Sequence, residues 1–150
     1  MISFTYQLTG SGWALATIAN EHSEMKVPAS YLCDALRDFV DAVQSLFVAE
    51  TAKCMWEQEP GLVVWEFGRD GPNIMVKVYW DEWDQQGETF VGHDDLLRFG
   101  GQVDRELDRL LATWGEDGYR KKWHLHPFPR EAHSKLKQGI QMESERRTRQ

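Results

Sequence analysis

The most chemically loaded stretch of this 150-residue chain is Trp80-Asp81-Glu82-Trp83-Asp84, where carboxylates alternate with indoles. Carboxylates beside tryptophan can hold a lysine or arginine side chain by ion pairing and cation–π contact. Asp94 and Asp95 add two more acidic groups shortly after. Trp80, Asp81, Glu82, Trp83, Asp84, Asp94 and Asp95 are therefore the candidate partner-binding residues. The competing reading is a solvated turn with Trp80 buried.

His124-x-His126 is the one pair with metal-like spacing, because alternate residues on an extended segment point the same way. Two imidazoles do not make a metal site. A third ligand would have to come from His133, or from Asp81, Glu82 or Asp84, and no H-E-x-x-H or paired-cysteine pattern supports one. A loop held by Trp123 and Phe128 is the preferred reading, with no metal and no cofactor. Cys33 and Cys54 are the only cysteines, without a C-x-x-C spacing, and read as reduced thiols, Cys33 on a helix and Cys54 at the edge of a strand. A thiol paired with a histidine stays open as an enzyme alternative. No G-x-S-x-G elbow, phosphate loop or dinucleotide fingerprint occurs, so no catalytic residue is assigned.

Composition narrows the partners. The chain carries 17 Lys and Arg against 24 Asp and Glu, a net charge of −7. That balance disfavours nucleic acid and anionic membranes and favours a basic protein partner. No apolar run reaches the roughly 20 residues of a membrane-spanning helix, and the N-terminus lacks a leader pattern, so a cytoplasmic location is expected.

The elements that must position these groups follow from periodicity. The centre is Gly61 to Asp81, where Val63, Trp65 and Phe67, then Ile74, Val76, Val78 and Trp80, alternate around an Asp70-Gly71-Pro72-Asn73 reversal. Ile2 to Leu8, Trp13 to Ala19, Met25 to Val27, Lys53 to Glu59 and Glu88 to His93 read as further strands. From Ser30, as N-cap, an apolar stripe through Leu36, Phe39, Val43 and Leu46 predicts a helix to about Ala49 or Glu50. Its polar face carries Asp34, Arg37, Asp38, Asp41 and Gln44. A second helix starts at Asp94 or Asp95 and stops at Gly115, with Gly100 and Gly101 marking a kink or close approach to the sheet. A helical turn over Asp117 to Trp123 and a short helix over Arg130 to Lys137 follow. The expected fold is α+β: an antiparallel sheet of about six strands, two long helices on one face and a short C-terminal helix. Residues 1–140 form one domain, and 141–150 read as a disordered polar tail.

This order of elements, with EPGLVVWEF, DLLRFGGQVDRELDRLL, W-G-x-x-G-Y at Trp114 to Tyr119 and W-x-x-x-P-F-P at Trp123 to Pro129, resembles small bacterial proteins. Some of these look like the immunity proteins encoded beside polymorphic or contact-dependent toxins. Over Ser30 to Leu136, the resemblance implies a non-enzymatic inhibitor of one cognate toxin domain. The acidic charge agrees with a basic toxin as partner; a self-associating homodimer stays open as an alternative.

Overall fold

The computed structural model describes residues 1–58, 61–81 and 87–150. The N-terminal alternation becomes three antiparallel strands, β1 (Ser3–Gly10), β2 (Trp13–Ala19) and β3 (Glu24–Ser30), hydrogen-bonded in that order. Phe4, Tyr6 and Leu8, then Ala14, Ala16 and Ile18, turn to the core. Helix α1 (Ala35–Ser45) follows, and then a second antiparallel sheet of β4 (Thr51–Glu57), β5 (Leu62–Asp70), β6 (Asn73–Trp80) and β7 (Thr89–Asp95). Helices α2 (Leu96–Trp123) and α3 (Arg130–Thr148) complete the chain.

The α+β class is as expected, but the single sheet is not: the strands form sheets of three and four. Periodicity shows which residues alternate, not which edges pair, and here α1 stands between the two runs of hairpins. Phe39 of α1 fills the space between them. Its ring stacks on Phe4 of β1 at 4.8 Å and meets Trp65, Phe67 and Trp56 of the second sheet at 4.9, 5.9 and 6.0 Å.

The helices also depart from expectation. Ser30 is not the N-cap of α1: it pairs with Trp13 at the end of β3, and its Oγ accepts from Leu32 N–H at 3.1 Å. Sheet pairing holds Ser30 extended, so the helix starts five residues later. At α2 the expectation holds: the Asp95 carboxylate caps Leu97 and Arg98 N–H at 2.8 and 3.2 Å. Gly115, with φ 67° and ψ 174°, breaks the helix before a last segment through Trp123. Gly100 marks close approach not to the sheet but to Phe47, whose ring would lie 3.3 Å from an added Cβ.

The C-terminal helix is long, not short, and residues 141–150 are helical to Thr148 instead of a disordered tail. A polar network substitutes for an apolar face. Buried Glu143 accepts from Arg69 at 3.1 Å, Arg146 at 2.6 Å and Arg147 at 2.9 Å, and Arg147 reaches back to Asp95 at 2.7 Å.

Side chains meet the strand edges at several points. Gln102 of α2 accepts from Phe4 N–H at 3.2 Å and donates to Ile2 O at 2.5 Å, while Arg109 donates to Tyr6 O. Gln58 donates to Pro28 O of β3, and Asn20 to Val91 O of β7 at 3.1 Å. Such contacts block unwanted strand pairing. No helix of the described residues is long and apolar enough to cross a membrane.

Candidate binding surface

Among the described residues, the predicted partner residues Trp80 and Asp81 lie apart from Asp94 and Asp95. Trp80 ends β6 half-buried, and Asp81 after it donates its N–H to Leu62 O at 2.8 Å. Glu82, Trp83 and Asp84 lie outside the described residues. Asp95 pairs with Asn73 at the far end of β6, seven residues or about 23 Å from Trp80. Asp94 is only 4% exposed. Its carboxylate accepts from Ile2 N–H at 2.8 Å and Arg98 at 2.5 Å, tying β1 to α2. Asp95 is occupied as helix cap and as the partner of Arg147. Both carboxylates hold the fold together.

A different acidic surface lies along α1. Asp34, Asp38 and Asp41 recur at four- and three-residue steps, which stacks them in one stripe. Arg37 stands among them, its Nη1 3.9 Å from Asp34 and its Nε 3.6 Å from Asp41. Asp38 has no ion-pair partner within 4 Å among the described residues. Burial pushes the Asp34 carboxyl above the usual range, and His126 and Arg37 partly oppose it. Burial likewise raises Asp38; Arg37 opposes the rise and the neighbouring charge of Asp41 adds to it. A cation brought to this stripe would lower both pKa values and be held by the same interaction.

The stripe opens on both sides. One hollow, of about 590 Å³, lies between Asp34, Arg37 and Asp41 and the segment from His126 to Ala132. A second, of about 530 Å³, separates Asp38, Asp41 and Ser45 from Lys53, Cys54 and Met55 of β4. Asp41 lines both. Asp81 lies near the same end of the sheet: it bonds Leu62, which is paired with Glu57 of β4, so Glu57 and Asp81 are two strands or about 10 Å apart.

His124 and His126 both meet Tyr31, by different groups, and His133 lies elsewhere. His126 Nε2 is 3.1 Å from Tyr31 O and its Nδ1 is 3.8 Å from Asp34, whereas the His124 ring meets the Tyr31 ring edge-on at 5.3 Å. His133 faces α2 instead, with Nε2 2.8 Å from Asp104 and 3.5 Å from Asp108. Asp104, Asp108 and His133 bring ligand-type atoms within 4.8 Å of one another. The ammonium of Lys137 supplies the positive charge there, 2.8 Å from Asp104 and 3.3 Å from Asp108. This cluster fastens α3 to α2.

No protein-family model, curated protein or solved structure matches the chain. Its chemistry must be read from its own residues.

Cys33 sits in the turn before α1 and Cys54 in the middle of β4, not on a helix and at a strand edge. Burial pushes the Cys54 thiol up, and the charges of Asp38 and Cys33 add to the rise. Burial also raises Cys33, although Glu57 N–H donates to its sulfur at 3.4 Å. An activated nucleophile needs the opposite shift. With iodoacetamide at about pH 8, both thiols of the native protein are expected to react more slowly than a free cysteine, Cys33 before Cys54. Rapid native labelling of Cys54 would contradict this.

Sequence spacing does display the three aspartates, but as the polar face of a helix. What makes them a surface of interest is the hollow on either side, and that depends on where β4 and the His126–Ala132 segment come to rest.

Proposed function

We propose that this protein is a non-enzymatic immunity protein that binds and neutralises a cognate bacterial toxin domain through an acidic surface. The observation that carries this reading is the α1 stripe, in which Asp34, Asp38 and Asp41 flank Arg37 and border two hollows. The far walls carry Arg130 and Lys135 in the first hollow and Lys53 in the second. A basic face pressed on this stripe exchanges water for carboxylate partners. The net charge of −7 extends the attraction beyond contact distance and raises the encounter rate. Glu57 and Asp81 lie on the opposite face of the second sheet from α1 and add to the charge of the molecule, not to the stripe itself.

Inhibition by this route needs no chemistry from the inhibitor. Covering the catalytic face of a basic toxin, such as a nuclease, displaces its anionic substrate. Co-expression with the C-terminal domain encoded by the adjacent open reading frame tests the proposal. The expected result is a stable one-to-one complex in which the toxin is silent. A neighbour that is harmless when expressed alone and forms no complex would overturn it.

A further inference from the structure

Every second residue of an antiparallel edge strand turns its N–H and C=O away from the sheet. In β4 the parity is set at both ends: Gln58 N–H donates inward to Gly61 O at 3.0 Å, and Glu50 O accepts inward from Arg69 N–H at 2.7 Å. Even-numbered residues therefore face β5, and Thr51, Lys53, Met55 and Glu57 point their backbone groups outward. Glu57 N–H is met by Cys33 Sγ, which closes that end. Lys53 and Met55 have no outward partner among the described residues. The other edge strands do have side chains on them: Gln102 and Arg109 on β1, Gln58 on β3 and Asn20 on β7. At Lys53 and Met55, two successive outward positions, the β4 edge is open, and the 530 Å³ hollow lies alongside it.

We infer that the open edge of β4 accepts an added strand from a protein partner, an extended segment that is basic at alternate positions. Main-chain pairing with Lys53 and Met55 supplies the binding register. Side chains on one face of the added strand then reach Asp38 and Asp41 across the hollow. Those on the opposite face lie beside Lys53 and the half-exposed Met55, where apolar or acidic residues fit and lysine does not. Charge complementarity with α1 thus selects a strand of alternating character. The inference rests on the immunity reading for the partner's identity alone; the edge and its chemistry stand apart from it.

The test uses a peptide of about ten residues alternating lysine and valine, with a glutamate-valine peptide as control, and residue-resolved amide exchange. Binding of the lysine peptide is expected to slow exchange at Lys53 and Met55 at least about ten-fold and leave the already paired Cys54 unchanged. Lys53→Pro removes an outward N–H without breaking the β5 ladder, and should weaken binding about ten-fold. Should that variant misfold by circular dichroism, Asp38→Asn with Asp41→Asn leaves the backbone intact and should weaken binding several-fold. No binding by the lysine peptide, equal binding by the glutamate peptide, or binding without protection at Lys53 and Met55 would overturn the inference. So would a dimer of this chain in which those amides are already protected, since a second copy would then own the edge. Toxin binding that survives Lys53→Pro would remove strand addition and leave the immunity function standing. Peptide binding with edge protection, but no toxin complex, would do the reverse.

Discussion

Replacing Phe39 with alanine should destabilise the protein by about 4 kcal/mol, among the largest effects expected of a single truncation in this core. The ring is fully buried and touches both sheets at once, stacked on Phe4 and edge-on to Trp56, Trp65 and Phe67. Truncation loses the transfer free energy of the ring and leaves a cavity between two sheets that share no hydrogen-bonded strands. The rings around that cavity are anchored in three strands, β1, β4 and β5, which limits collapse into the gap. A typical domain has about 5–15 kcal/mol to lose, so the variant sits near the limit of folding. Urea unfolding followed by tryptophan fluorescence measures the loss, because Trp56 and Trp65 line the cavity. Met142→Ala, at a site 67% exposed, should change stability by less than about 0.5 kcal/mol. A loss below about 1.5 kcal/mol at Phe39 would mean that the sheets are not joined through this ring.

Glu143→Gln is the second large effect, and it depends on pH. Burial alone would raise the carboxyl, but hydrogen bonds from Arg147, Arg146 and Arg69 outweigh it and bring the pKa from 4.5 down to about 2. A folded-state pKa below the unfolded value stabilises the protein above about pH 4.5, and that contribution is lost as pH falls toward 2. The full shift would correspond to about 3 kcal/mol. Arg146 is 49% exposed and solvent screens its share, so about 2 kcal/mol is expected at neutral pH. The stability gap between wild type and variant should narrow steadily below about pH 4.5, and amide exchange from Met142 to Thr148 should quicken in the variant. A gap that stays constant down to about pH 2.5 would contradict the role given to the three arginines.

This network also explains where the sequence misleads. QMESERRTRQ has too few apolar residues for a packed face, and its order comes from Glu143 meeting Arg69 from the second sheet, 74 residues away. Nothing local announces such a pair. By contrast, alternation located the strands, the Asp95 cap located the start of α2, and Gly115 located its break, because each is a local demand of backbone geometry. The division into two sheets and the late start of α1 escaped for one reason. Both depend on which edge meets which neighbour, as when pairing with Trp13 holds Ser30 in β3.

The surface follows the same division. Asp94 and Asp95 look, as sequence, like free acidic groups beside a tryptophan-rich turn; in the fold they serve as edge cover and helix cap. The aspartates of α1 were visible as a solvated face, and their setting beside an open strand was not. Burial raises both cysteine thiols, the opposite of the shift that activates a thiolate.

The acidic stripe of α1 is tested most directly by the association rate of the proposed partner, the C-terminal domain encoded by the adjacent open reading frame, measured by stopped flow for wild type, Asp38→Lys/Asp41→Lys and Asp81→Lys across a range of salt. The double reversal should slow association at least about ten-fold and Asp81→Lys by less, while the wild-type rate falls steeply as salt shortens the screening length below about 10 Å. Association rates that ignore both salt and the α1 reversal would contradict the acidic-surface account.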